Sequence, residues 1–196
     1  MTPFVKICGL TDATAVAAAV AAGADAVGFV FAESVRRLDT EQAVEIAHGV
    51  PRHVKRVAVM MHPTADEWEL VRDRFAPDVL QTDAADFAGL ELPDAMERWP
   101  VIREGAEAGD LPETFVYEGP RSGSGQKVDW SAAAALARRG NMILAGGLSA
   151  QNVADASREV GPFGGDVSSA VESAPGRKDA DKIRAFIKAV QAARGN

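Results

Sequence analysis

The side chains in this sequence that are equipped for chemistry each close a short apolar run. Cys8 ends Phe4-Val5-Lys6-Ile7 and precedes Gly9, a residue that lets a ligand approach the backbone closely. A thiolate there would abstract a proton, against the plainer alternative of a small buried hydrophobe. Lys6, two residues earlier, falls on the same side of an extended strand and is a candidate substrate contact. Glu118 ends Thr114-Phe115-Val116-Tyr117 and roots the loop Gly119-Pro120-Arg121-Ser122-Gly123-Ser124-Gly125, whose small residues suit a substrate clamp. A carboxylic acid at that root would donate a proton, although a solvated loop glutamate would look the same in sequence.

A second group of residues suits anions. Ala145-Gly146-Gly147-Leu148-Ser149 and Val167-Ser168-Ser169-Ala170-Val171 follow the seventh and eighth apolar runs. Their small residues expose backbone N–H groups that can hold a phosphate, where a lone Gly-Gly pair would be a plain turn. Arg36 and Arg37 stand beside Ser34, and a guanidinium there would take a carboxylate in two parallel hydrogen bonds. Sequence alone leaves open which arginine does so, or whether both are surface residues. His48, His53 and His62 show no metal-ligand spacing, so they read as loop or surface residues and no metal site is expected.

These residues need a frame. The chain has 196 residues, 47% hydrophobic and 25% charged, which suits one domain spanning residues 1–196 around a single core. Its net charge of −7 argues against a nucleic-acid or anionic-membrane partner, so a bound anion must be held by local geometry. Cys8 is the one cysteine, which rules out an intramolecular disulfide and a cysteine metal cluster. Met1 to Gly9 lacks the basic and apolar stretches of a leader, and no apolar run approaches ~18 residues. The expectation is a soluble cytoplasmic protein.

Apolar, β-rich runs recur at Phe4–Cys8, Ala26–Phe31, Arg56–Met61, Val79–Gln81, Val101–Arg103, Thr114–Glu118, Asn141–Ala145 and Asp166–Ser168. Most precede a helical pattern: Asp12–Ala22, capped by Thr11 or Asp12 and stopped by Gly23, then Thr40–His48, Ala65–Phe75 and finally Lys178 to Ala193. Glu104–Glu113 is short and holds Gly105, Gly109 and Pro112, so the fifth helix should be short or missing. Eight βα units predict an α/β fold, a compact single-domain (β/α)8 TIM barrel. The runner-up, an open doubly wound sheet, lacks its Gly-x-Gly-x-x-Gly after the first strand. A barrel's active site lies at the C-terminal strand ends, where Cys8, the Ser34–Arg37 segment, Asp83, Arg103, Glu118, Gly146, Gly147, Asp166, Ser168 and Ser169 all fall.

Lys6-Ile7-Cys8-Gly9-Leu10-Thr11 resembles the N-terminal signature of the phosphoribosylanthranilate isomerases, and Gly23 to Phe31 resembles their second-strand block. The likeness continues through Ser122–Gly125, Asp129-Trp130, Gly146-Gly147-Leu148 with Asn152-Val153, and Asp166 to Glu172 with Pro175-Gly176. It implies an enzyme of tryptophan biosynthesis that rearranges the phosphosugar N-(5-phosphoribosyl)anthranilate with no metal or cofactor. In that resemblance Cys8 is the general base, its thiolate favoured by nearby positive charge or N–H groups. The family's general acid is an aspartate ending strand six, and Glu118 stands there, one methylene longer. The carboxylate-binding arginine matches Arg36 if one residue is deleted before it, or Arg37 without a gap.

The middle of the chain departs from the family. Gln-Leu-His-Gly after strand four appears as Gln81-Thr82-Asp83-Ala84, and Ile-Lys-Ala in strand five as Ile102-Arg103-Glu104. These changes motivate a second reading, a related phosphosugar isomerase or epimerase with a changed aromatic pocket, and Glu118 in place of aspartate motivates a third, a phosphosugar-binding module without turnover. Sequence does not decide between monomer and homodimer.

Overall fold

The computed structural model describes residues 3–106, 109–120 and 126–193. Eight parallel strands close a barrel in sequence order: β1 (Phe4–Cys8), β2 (Ala26–Val30), β3 (Lys55–Val59), β4 (Val79–Asp83), β5 (Glu97–Arg103), β6 (Thr114–Glu118), β7 (Asn141–Leu144) and β8 (Gly164–Val167). The ring is sealed where Phe4 to Ile7 run in register with Gly164 to Val167. The barrel expected from sequence is therefore the fold.

Helices pack around the outside: α1 (Ala13–Ala22), α2 (Thr40–Ala47), α3 (Ala65–Phe75), α4 (Trp130–Ala137), α5 (Val153–Val160) and α6 (Ala180–Ala192). Local chemistry sets their ends. Asp12 caps α1 by accepting from the Ala15 N–H, and Gly23 stops it at φ 94°. Asp39 with Gln42 and Thr64 with Glu67 form capping boxes at α2 and α3, each cap worth about 1 kcal/mol.

No helix lies among the described residues between β5 and β6, as the glycines and proline there suggested. The unit after β4 departs further from the repeat. A single 3-10 stretch, Ala84–Gly89, replaces the helix, and β5 begins at Glu97, four residues before the apolar run that marks it in sequence. Phe87, Leu90 and Leu92 cover the barrel in the helix's stead, and the buried Trp68 of α3 donates its indole N–H to the Glu91 carbonyl at 2.8 Å. Gly89 and Pro93 leave too short a stretch for a helix with its own caps.

Alternation along each strand gives the barrel two faces. Ala26, Val57, Val79, Trp99, Val101, Val116 and Ile143 fill the inside, closed at the N-terminal end by Phe4 between Trp99 and Phe163. This lower layer is apolar packing, and the side chains that line the cavity lie above it at the C-terminal rim. After β8 a 3-10 turn (Ser169–Val171) leads into a small antiparallel hairpin, β9 (Glu172–Ala174) and β10 (Arg177–Lys178), that folds back over that rim.

Candidate active site

The strand ends open on one cavity of about 530 Å³, within the range of small-molecule sites. Cys8, Arg36, Glu118, Gly146, Gly147, Asp166, Ser168 and Ser169 all line it. Lys6 does not. Its side chain is wholly buried beneath the cavity floor, where Nζ donates to Asp166 Oδ2 at 2.9 Å. The expectation of a substrate contact thus changes to that of a support beneath Cys8 and Asp166, because Lys6 sits one inward-facing layer lower in β1. Gly28 of β2 leaves the room: a Cβ there would lie 3.0 Å from Cys8 Sγ and 3.3 Å from Lys6 Cε.

The charges on this floor oppose one another. Burial would strip Lys6 of its proton, but Asp166 and Cys8 hold the ammonium above the ordinary lysine value. Burial pushes the Cys8 thiol up and Asp166 adds to the rise, while Lys6 and, more weakly, Lys178 pull it down. The net shift is upward, against the sequence expectation of a favoured thiolate. Lys6 lessens the rise without cancelling it, since its charge is already shared with Asp166.

On the next wall, Arg36 Nε and Nη2 donate to the two carboxylate oxygens of Glu172 at 2.6 and 3.0 Å. This pairing raises Arg36, and the bonds from Arg36 and Lys178 hold Glu172 below the usual carboxylate range in spite of its burial. Arg37 is exposed and lies off the cavity, so only Arg36 reaches it. Across the rim, Gly146 and Gly147 both take positive φ, 88° and 67°. A Cβ on Gly147 would come within 2.7 Å of the Lys127 nitrogen, so the turn admits only glycine. Asn152 fixes it, donating to the Gly147 carbonyl and accepting from the Ser149 N–H, both at 2.8 Å. Glu118 faces the cavity with Arg103 Nη1 at 3.8 Å from its Oε2. Of the loop it roots, Arg121 to Gly125 lie outside the described residues.

A sequence model of N-(5′-phosphoribosyl)anthranilate (PRA) isomerase matches residues 5–189 of this chain. The chain belongs to the phosphoribosylanthranilate isomerase family. It is similar to N-(5′-phosphoribosyl)anthranilate isomerases of Bordetella parapertussis, 40% identical with 95% of each chain covered, and of Listeria monocytogenes, 38% identical over 94% of this chain and 96% of the relative. Among solved structures it resembles TrpF from Jonesia denitrificans, with TM-score 0.81, 33% identity and 98% of each chain covered. A second, with TM-score 0.78 and 28% identity over 97% and 99% of the two chains, is a phosphoribosyl anthranilate isomerase in complex with reduced 1-(o-carboxyphenylamino)-1-deoxyribulose 5-phosphate.

At the ends of β4 and β5, the rim of this phosphoribosylanthranilate isomerase family member carries a chain of charges. Arg103 Nη2 donates to Asp83 Oδ1 at 2.7 Å, Asp83 Oδ2 lies 3.6 Å from His62 Nε2, and His62 Nδ1 lies 2.9 Å from Asp86. His62 thus lines the cavity mouth from an exposed loop. Its place directly after the third strand was the signal available in sequence. Gln81, not singled out from sequence either, faces the cavity with its buried Oε1 unpartnered. An orphaned buried acceptor costs about 1–3 kcal/mol, which a donor on a bound ligand would recover.

The Lys6 pairing makes a prediction about this floor. Lys6→Met removes the ammonium that restrains the Cys8 thiol, so the pH at which Cys8 becomes reactive toward a thiol reagent moves upward. Asp166 is left without its buried partner, at a cost of about 3 kcal/mol in a urea titration. An unshifted pH profile would mean that Lys6 does not act on Cys8.

Proposed function

We propose that the chain converts N-(5-phosphoribosyl)anthranilate to 1-(o-carboxyphenylamino)-1-deoxyribulose 5-phosphate by an Amadori rearrangement. Glu118, as the carboxylic acid, gives its proton to the furanose ring oxygen as the C1–O bond breaks and the anilino nitrogen lone pair forms the C1=N bond. Cys8, as the thiolate, takes the proton from C2, and the electrons left behind form the enolamine. Proton return to C1 with loss of the enol proton yields the aminoketone. Substrate and product are isomers and Glu118 and Cys8 only carry protons between steps, so the chemistry calls for no redox partner.

The observation that carries this reading is the convergence of Cys8, Glu118 and both small-residue loops on the same cavity. The loops at Gly146-Gly147 and Ser168-Ser169 offer backbone N–H groups to the phosphate. Arg36 offers the guanidinium edge that Glu172 leaves free to the anthranilate carboxylate. Glu118 exceeds the family aspartate by one methylene, which places its carboxyl farther into the cavity from the same strand end.

Expression of the chain in a bacterial strain lacking this isomerase tests the proposal. Growth without tryptophan is the expected result, and growth only when tryptophan is supplied, with the protein present and folded, would overturn it.

A further inference from the structure

Glu172 and Lys178 take no part in the proton transfers, yet both are buried beside them. The Lys178 side chain is wholly enclosed, and its ammonium spends all three donors: on the Ser168 carbonyl at 3.0 Å, on Ser168 Oγ at 3.1 Å and on Glu172 Oε1 at 2.8 Å. That same Glu172 oxygen accepts from Arg36 Nε. One ammonium therefore joins the loop after β8 to the arginine after β2, elements far apart in sequence. The hairpin that carries both residues is itself anchored, since Thr11 Oγ1 donates to the Gly176 carbonyl at 2.7 Å.

The charge count gives this cluster a direction. Arg36 and Lys178 are positive and Glu172 negative, and Lys182 adds its ammonium at the Glu172 carbonyl, so positive charge exceeds negative in this cluster of a protein of net charge −7. Burial draws Lys178 below the ordinary lysine value, so the cation is held against a desolvation cost. The Lys6–Asp166 pair beside it is neutral and does not offset that charge. Such a cost is recovered when an anion arrives in the adjoining cavity.

We propose that Lys178 is a positioning residue that couples the two anionic ends of the substrate site, setting the phosphate loop through Ser168 and the carboxylate-binding Arg36 through Glu172. The inference rests on the assignment of those two ends under the proposed function. It makes Lys178 a residue whose loss is felt at both ends of the ligand, although it touches neither.

Calorimetric binding of two half-ligands, inorganic phosphate and anthranilate, tests it without turnover. Wild type binds each. Lys178→Met weakens both about tenfold, the scale of one lost hydrogen bond to a charged group. Arg36→Met weakens anthranilate alone, and Ser168→Ala weakens phosphate alone. A Lys178 that served only stability would lower the melting temperature and leave both affinities of the folded protein unchanged, which would overturn the proposal. If Lys178→Met fails to fold, Lys178→Gln replaces it: the amide cannot hold Ser168 and Glu172 together as the ammonium does, so both affinities weaken, and both affinities unchanged contradict the coupling. Failure of wild type to bind either half-ligand would instead remove the site assignment beneath it.

Discussion

Cys8→Ala is expected to lower kcat by about 10²–10⁴-fold, the range for loss of a positioned general base, while the barrel stays folded. Alanine fits where the thiol sat, because the surrounding space is set by Gly28 and by the Lys6–Asp166 pair, which the substitution leaves in place. KM should change little, since the contacts proposed for phosphate and carboxylate lie elsewhere on the rim. The thiol's upward shift adds a sign to this prediction. A base acts only when deprotonated, so wild-type kcat/KM should climb as pH rises through a thiol value above the ordinary one. Cys8→Ala should lose that limb, and persistence of the limb at full height would assign the base to another group.

Glu118→Gln is expected to cost a similar factor for the opposite reason. The carboxamide keeps the size of the side chain and its place 3.8 Å from Arg103 Nη1, but it has no acidic proton for the ring oxygen. Ring opening then becomes the slow step. Glu118→Asp separates reach from acidity: it restores the family's residue with the carboxyl drawn back by one methylene. Retention of more activity in Glu118→Asp than in Glu118→Gln supports an acid role. Equal loss in both would mean that the position fixes geometry and donates no proton.

Much of the fold was legible because βα periodicity is a local signal. The runs at Phe4–Cys8 and Thr114–Glu118 coincide with whole strands, and the Asp12 and Gly23 ends of the first helix follow from side-chain chemistry within one turn. The missing fifth helix could be read from glycine and proline. The lost helix after β4 could not, since Phe87, Leu90 and Leu92 do their covering through tertiary packing against α3 and the barrel.

The site divides along the same line. Cys8, Glu118 and the loop glycines are marked by closing an apolar run. Alternation put Lys6 on the inner face, but strand pairing fixes its depth, and depth decides whether it meets substrate or supports Cys8. Arg36 and Glu172 lie 136 positions apart, so the pairing that draws Arg36 to the cavity and leaves Arg37 outside has no local trace.

Turnover of one substrate by one acid and one base has an optical readout. Its most direct test follows the fluorescence of freshly generated N-(5-phosphoribosyl)anthranilate with the purified wild type, Cys8→Ala and Glu118→Gln. Rapid loss of the signal with wild type, and its near abolition in both variants with melting curves intact, is the predicted result. A stable signal with folded wild-type protein would contradict the account and shift attention to the rebuilt wall of Asp83, Arg103 and His62 as the seat of a different specificity.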